Sequence, residues 1–342
     1  MKDKHYLVTG GAGFIGSNYV QRLLTRGEKV SIYDNYARAG APRNVDWLKS
    51  QFGDDAFSLI VGDVRSADHL AEAAKDADII VHLAGQVAVT TSVLNPRDDF
   101  EANALGTFNA LEAARASGRD PIFIYASTNK VYGGMDDVAL KEDATRWLYA
   151  DLEHGCAETQ PLDFHSPYGV SKGTGDQYTR DYARIYGLRS VVFRQSCIYG
   201  PRQFGIEDQG WLAWMIIAAV TGKRITVYGD GKQVRDVLHV HDLLNAYDAA
   251  IENIETAKGQ VYNMGGGTRN VMAIWAEFGP ILEKLLGKKI EVSRADWRPG
   301  DQKVFYADFR KAQRELGWEP KIGLEEGIGL LFNWVKENRD LF

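Results

Sequence analysis

The chain has 342 residues, 25% of them charged, and a formal net charge of six negative. That balance excludes the basic footprint of a nucleic-acid binder and the polybasic patch of a membrane-surface protein, and leaves a small molecule as the expected partner. The length suits one large α/β domain plus a smaller one, and two cysteines, Cys156 and Cys197, provide neither a disulfide framework nor metal-ligand spacing, in keeping with a reducing cytoplasm.

Met1-Lys2-Asp3-Lys4 runs straight into the first apolar run, so no signal peptide is expected, and no apolar stretch reaches the about 18 residues of a membrane span. Tyr6-Leu7-Val8 reads as a strand that feeds Thr9-Gly10-Gly11-Ala12-Gly13-Phe14-Ile15-Gly16 and an amphipathic helix from Phe14 to Leu24. Strand, glycine turn and helix together grip a pyrophosphate. Gly10, Gly13 and Gly16 let the backbone come close, and the N–H groups at the helix start, those of Phe14 and Ile15 included, face the phosphates. The second apolar run, Val30-Ser31-Ile32-Tyr33, ends in Asp34, 18 residues past Gly16, with Asn35 beside it. An acidic residue there accepts hydrogen bonds from an adenosine ribose and repels a 2′-phosphate, so the cofactor expected is NAD and not NADP.

Strands and helices then alternate as in a doubly wound parallel sheet. Phe57 to Val61 leads to Gly62-Asp63-Val64, where Asp63 either meets the adenine amino group or caps the next helix. Ile79 to Gly85 is apolar on both faces, as a central parallel strand is. Its end, Leu83-Ala84-Gly85, lets a cofactor lie against the backbone, and His82 reads as a core histidine. Pro96 to Arg115 reads as one helix, with Asn103 either bracing the adjoining strand or lying on the surface. Pro121 to Ala126 is the fifth strand and delivers Ser127-Thr128-Asn129-Lys130 to the carboxyl edge of the sheet, where ligands bind in such folds. A poorly periodic stretch from Gly134 to Ser166 reads as a loop bordering that edge. The helix from Tyr168 to Tyr186 sets Tyr168 and Lys172 on one face. A second pair with that spacing, Tyr228 and Lys232, spans a Gly229-Asp230-Gly231 turn and is discounted.

Arg189 to Arg194 is a sixth strand. Pro201 to Asp208 then reads as loop, followed by a buried helix to Val220, strands at Ile225–Tyr228 and Val234–Leu238, a helix from Asp242, and a short strand at Gln260–Met264. Helices are expected near Val271 to Leu286, Asp308 to Leu316 and Leu324 to Asn338, with the loop Arg298-Pro299-Gly300-Asp301 between them. Residues 1–191 are expected to form the dinucleotide-binding domain, with segments near 234–264 returning to it, and 192–342 a smaller α/β domain for substrate. No metal is expected, since His239-x-His241 lacks a third ligand.

Taken together, the glycine turn, Asp34, Asp63-Val64, Leu83-Ala84-Gly85, Ser127-Thr128, Tyr168-x-x-x-Lys172 and Arg235-Asp236 resemble the extended short-chain dehydrogenase/reductase family, in its nucleotide-sugar-modifying branch. The longer runs His82 to Ala88, Ser127 to Gly133, Leu162 to Gly169, Asp208 to Trp211 and Gly231 to His239 resemble the CDP-tyvelose (CDP-paratose) 2-epimerases. The resemblance covers nearly the whole chain. It implies a Rossmann-type fold, a tightly held NAD, a homodimer or homotetramer, and a CDP-activated hexose inverted at C2 by transient oxidation, rotation and re-reduction. In the matching motifs Thr128, Tyr168 and Lys172 would be catalytic. Tyr168 would be the base, its phenolate favoured by Lys172 and the nicotinamide ring. Ser127 and Asn103 would lie on the cofactor side. Gln86, Gln209, Arg235 and Arg298 would hold the sugar nucleotide, the two arginines on its diphosphate.

Two departures from the family pattern bear on the reaction. The related 4,6-dehydratases carry Thr-Asp-Glu where this chain has Thr128-Asn129-Lys130, and without the acid and base that elimination of water requires, dehydration is disfavoured. Cys197 stands where the family often has an asparagine on the diphosphate, and reads as packing. Two rivals remain: a UDP-hexose 4-epimerase, which shares the catalytic groups, and a non-catalytic NAD-binding sensor or scaffold, against which the intact Tyr168 and Lys172 argue.

Overall fold

The structure is a computed structural model and describes residues 4–298 and 302–342. Met1, Lys2 and Asp3, and Pro299, Gly300 and Asp301 of the expected loop after Arg298, lie outside the described residues.

The first half runs β1 (His5–Thr9), α1 (Phe14–Thr25), β2 (Lys29–Asp34), α2 (Ala41–Phe52), β3 (Ser58–Val61), α3 (Ala67–Ala74), β4 (Ile79–His82), α4 (Val89–Leu94), α5 (Pro96–Phe100), a π turn (Glu101–Leu105), α6 (Gly106–Ala116) and β5 (Ile122–Thr128). A hairpin, β6 (Leu140–Glu142) and β7 (Trp147–Tyr149), precedes α7 (Ser166–Tyr186) and β8 (Arg189–Gln195). The remainder is β9 (Cys197–Tyr199), α8 (Trp211–Thr221), β10 (Ile225–Tyr228), β11 (Val234–His239), α9 (Val240–Glu252), α10 (Ile254–Ala257), β12 (Val261–Met264), β13 (Val271–Ala273), α11 (Phe278–Leu286), β14 (Val292–Ala295), β15 (Val304–Phe305), α12 (Arg310–Leu316) and α13 (Leu324–Glu337).

Seven parallel strands form the main sheet in the order β12-β8-β5-β4-β1-β2-β3. Alternation of side chains along the strands sorts the core into two layers. Val8, Val81, Ile124 and Phe193 meet residues of α1, α2 and α9 on one face, whereas Leu7, Ile80, Phe123 and Val192 meet α3, α6 and α7 on the other. Strand order turns back between β1 and β4, and that reversal opens a crevice at their carboxyl ends. The glycine turn follows β1 into it and Leu83-Ala84-Gly85 follows β4.

Within 234–264, α9 packs on α1 and β12 joins β8, but Val234–His239 pairs elsewhere, with β9, β13 and β15 in a second sheet. A third apolar cluster, built from α8, α11 and α13, covers that sheet, so the α8 run is buried as its sequence suggests. Among the described residues no helix is long and apolar enough to cross a membrane.

Several elements differ from the sequence reading. The helix anticipated near Val271 to Leu286 begins as strand β13, because Val271-Met272-Ala273 pairs antiparallel with β11 and the Glu277 carboxylate takes the Ala273 N–H at 2.8 Å. Helix α9 starts at Val240, two residues before Asp242, with His239 Nδ1 as its cap. Pro96 to Arg115 is not one regular helix, since the π turn divides it. The stretch from Gly134 to Ser166 contains the β6–β7 hairpin, and α2 and α4 occupy segments whose sequence signalled no element.

Candidate active site

The turn after β1 is built for close approach. Gly10 has φ +70°, and a Cβ placed on Gly16 would stand 2.2 Å from the Gly10 carbonyl oxygen, so α1 rests directly on the turn. Gly13 occupies the N-cap of α1 without a capping side chain, and no acidic residue sits in the helix's first turn. The N–H groups of Phe14, Ile15 and Gly16 are therefore left to an outside anion. This uncapped cradle fits the pyrophosphate of a dinucleotide. Gly16→Ala is expected to cost about 1–3 kcal/mol through forced displacement of α1, and to purify without dinucleotide; the melting midpoint and the ultraviolet absorbance of the protein check both.

Asp34 leans over the same turn. Its carboxylate accepts from Ala12 N at 3.1 Å and Tyr36 N at 2.8 Å, and burial pushes its pKa up against those two bonds. Asn35 Nδ2 donates to Asp63 Oδ2 at 2.8 Å, and Arg65 clamps the same carboxylate at 2.6 Å, holding Asp63 down at about 2. Asp63 is thus not the cap of α3, whose N-cap is Ser66. Val64 is buried and packs on Gly106. Across the crevice, Leu83 N donates to the Thr9 carbonyl and Ala84 N to Thr9 Oγ1. Gly85 lies so near Asn103 that an added Cβ would be 2.4 Å from Asn103 Oδ1. His82 is the core residue its context suggested: fully buried, it shares hydrogen bonds with Thr9 Oγ1 and Thr107 Oγ1, and burial drops its pKa to about 3.

Thr128, Tyr168 and Lys172 converge at the carboxyl end of β5. Tyr168 and Lys172 sit on successive turns of α7, and the Tyr168 hydroxyl bonds to the Thr128 side chain. Burial pushes Tyr168 up to about 12, with the Thr128 bond pulling the other way. Lys172 lies over the Tyr125 ring at 4.5 Å, and burial lowers it to about 8 while Asp99 and Asp176 raise it. Desolvation thus dominates at Tyr168, opposed by the Thr128 bond, and Lys172 is not among the groups that shift it.

Two buried polar groups that the sequence reading did not single out hold this cluster. Asp176, one turn beyond Lys172, accepts Ser127 Oγ at 2.8 Å and receives a two-pronged grip from Arg194, Nε at 2.8 Å and Nη2 at 2.9 Å. Asp99 accepts Ser171 Oγ at 2.6 Å and Asn103 Nδ2 at 3.1 Å. Asn103 Nδ2 also reaches the Gln86 carbonyl, so this buried asparagine braces the segment after β4 and is not a surface residue. The step from 168 through 172 to 176 was the available signal for Asp176.

The expected substrate residues are less uniform. Gln86 folds its amide back on Ala88, donating to that carbonyl and accepting its N–H. Gln209 Oε1 accepts from Arg38 at 2.5 Å. Arg298 stacks on Tyr228 at 3.9 Å and donates to the Glu207 carbonyl, with Asp208 at 3.4 Å. Arg235 is buried, its guanidinium donating to the carbonyls of Val234 and Gln302. Both arginines thus donate to main-chain carbonyls, Arg298 from a partly exposed position and Arg235 from a buried one. Cys197 accepts the Trp211 indole N–H, and burial raises its thiol, as suits a packing residue.

A family model described as GDP-mannose 4,6 dehydratase matches residues 7–330. The chain belongs to this family of extended short-chain dehydrogenases/reductases. Within it, the chain is 42% identical to a CDP-paratose 2-epimerase of Salmonella typhi over 96% of its own length and 98% of that protein's. It is 34% identical to a putative UDP-glucose 4-epimerase of Methanocaldococcus jannaschii, covering 97% and 98%. Among solved structures, the dTDP-glucose 4,6-dehydratase DesIV of Streptomyces venezuelae, crystallised with NAD, is similar with a TM-score of 0.85 at 29% identity, covering 99% and 98%.

Proposed function

We propose that this family member is an NAD-dependent epimerase that inverts C2 of a CDP-activated hexose of the paratose/tyvelose type. The observation that carries the reading is the 42% identity to a CDP-paratose 2-epimerase across nearly the full length of both chains. The α1 amides with Gly10, Gly13 and Gly16 hold the pyrophosphate of NAD, Asp34 and Asn35 its adenosine ribose, and Asp63 and Val64 border the adenine. Leu83, Ala84 and Gly85 line the cofactor's course along β4, with Ser127, Tyr168 and Lys172 at its nicotinamide end. When bound, NAD supplies a hydride acceptor that returns the same hydride, and a ring charge that favours the tyrosine phenolate.

The chain's own part is proton handling and grip. Tyr168 Oη accepts the proton of the C2 hydroxyl as the C2–H bond breaks, and Thr128 Oγ1 holds the sugar oxygen or relays the proton. Lys172 stabilises the phenolate, and after the keto-sugar turns, Tyr168 gives the proton back to the C2 oxygen. Arg235 and Arg298 hold the diphosphate, with Gln86 and Gln209 shaping the rest of that pocket. Asn129 and Lys130 supply no carboxylate pair for elimination, which supports epimerisation over dehydration.

Incubating the protein with CDP-paratose, CDP-tyvelose, UDP-glucose and UDP-galactose and resolving products by NMR tests the reading. Interconversion of the CDP sugars is expected. Turnover of the UDP pair alone would establish the 4-epimerase alternative, which the 34% relative supports; no turnover by NAD-loaded protein would leave the sensor reading. In D2O the epimerised product is expected to carry essentially no deuterium at C2, since the hydrogen removed is the hydrogen returned. Substantial solvent deuterium at C2 would instead indicate deprotonation next to a ketone at C3.

The same proposal extends to assembly and location. Exposed apolar side chains on α5 to α7, Phe100, Phe108, Tyr178, Ile185 and Tyr186, support pairing of two copies through these helices. The free thiols Cys156 and Cys197 support a cytoplasmic setting.

A further inference from the structure

The steps of four that place Tyr168 and Lys172 on one face of α7 continue through Asp176 to Arg180. Arg180 faces away from the crevice, into a cavity of about 660 Å³ between the segment 157–162, the edge strand β12 and α12. That volume lies within the roughly 300–1,000 Å³ of small-molecule sites. None of the glycine-turn residues, nor Thr128, Tyr168 or Lys172, lines it.

Five lining side chains are cationic and two are carboxylic, a surplus of three positive charges. Three of the cations are already matched: Arg194 by Asp176, Arg310 by Asp308 and Arg314 by Glu315. Neither of the other two forms a salt bridge among the described residues, and the carboxylates that act on them do so from a distance, Glu315 and Glu158 on Lys311 and Asp176 on Arg180. Lys311 Nζ donates to Gln260 Oε1 at 2.9 Å and to the Val261 carbonyl at 3.0 Å, both neutral acceptors. Arg180 Nε is shut off from water without any hydrogen-bond partner among the described residues. A buried guanidinium N–H with its bond unmade is costly, and an anion offsets that cost. Of the two carboxylates, Asp308 is neutralised by Arg310, and Glu158 has Oε1 bonded to Asn263 N at 2.8 Å.

We propose that this cavity is a second ligand site, which takes a phosphate-bearing small molecule with its phosphate between Arg180 and Lys311. Guanidinium forks match phosphate oxygens, and an ammonium adds a point charge beside them. Arg194 connects the two sites: it lines this cavity and grips Asp176, which in turn holds Ser127 at the end of β5.

The test uses the purified full chain with its cofactor, in chloride buffer at constant ionic strength. Inorganic phosphate, pyrophosphate, a hexose 6-phosphate and CMP are titrated separately, by calorimetry and by melting midpoint, against the native protein and the Arg180→Gln/Lys311→Gln variant. At least one ligand is expected to raise the native midpoint by about 5 °C at a hundred times its Kd, and to bind the variant at least tenfold more weakly. Comparing the four separates free phosphate from sugar-phosphate and nucleotide sources. Equal affinity for both proteins, or no binding to the native chain, would overturn the proposal. Retained cofactor and an unchanged circular dichroism spectrum certify the variant's fold, and Lys311→Gln alone serves if the double variant does not fold. Crystals soaked in tungstate provide an independent reading: a peak between Arg180 and Lys311 supports the site, and peaks only elsewhere refute it. Neither readout requires turnover, so its outcome is separable from that of the epimerase proposal.

Discussion

Tyr168→Phe is expected to lower turnover by about 10²–10⁴-fold, the range for loss of a positioned proton acceptor, while cofactor content and melting midpoint stay near native. The separation of these effects follows from the surroundings of the side chain. Its hydroxyl bonds to Thr128, and the residue stands in the first turn of α7. Phenylalanine keeps the ring and removes only the group that carries the proton. Because burial already pushes the phenol up to about 12, the proposed role of Tyr168 as base requires cationic support in the crevice to reach phenolate at neutral pH. Single-turnover measurements with bound cofactor should show the loss in the chemical step, in kcat as much as in kcat/KM. A variant within a few-fold of native would remove Tyr168 from the proton path.

The second large effect is on stability. Arg194→Met is expected to cost about 3–5 kcal/mol, because it leaves the Asp176 carboxylate buried without its counter-ion. Asp176 is fully buried and Arg194 nearly so, and the guanidinium also donates to Tyr132, itself bonded to Asn263. Against a total of roughly 5–15 kcal/mol for a folded domain, such a loss is a large share. Adding Asp176→Asn should restore much of it, since the neutral amide keeps the shape and carries no charge into the interior. Denaturant midpoints for the two single variants and the double close the cycle, and additive losses would contradict a coupled pair. Activity should not return with stability, because Asp176 also orients Ser127.

Local signals in the sequence located what local geometry builds. The β1 strand, the glycine turn and α1 were readable because apolar period, glycine spacing and helix start all lie within a few neighbouring residues. The same holds for Tyr168 and Lys172, whose shared face follows from helix pitch alone. Asp176 with Arg194 escaped notice because the partners come from different elements and only the packing of α7 on β8 brings them together. For Arg235 the motif position suggested a phosphate contact; what the sequence does not reveal is that pairing of β11 with β15 also brings main-chain carbonyls to its guanidinium. Val271-Met272-Ala273 read as helix because a short apolar run does not reveal its own period, and only the antiparallel contact with β11 makes it a strand.

The π turn at Glu101–Leu105 has a further consequence, for which changes of length this segment tolerates. A π turn holds one residue more than an α turn, so the helical stretch from Pro96 to Ala116 contains two reading frames offset by that residue. Asp99, in the first, points at Ser171 of α7; Ala110, Leu111, Ala113 and Ala114, in the second, fill the core beneath the sheet. Deleting a single residue within the π turn would therefore let the ladder close as an ordinary helix with both faces still in place, whereas a second inserted residue there, or a deletion in the regular turns on either side, would swing one half against the other by about 100°. Either the brace behind Lys172 or the packing under β4 and β5 would then face the wrong way.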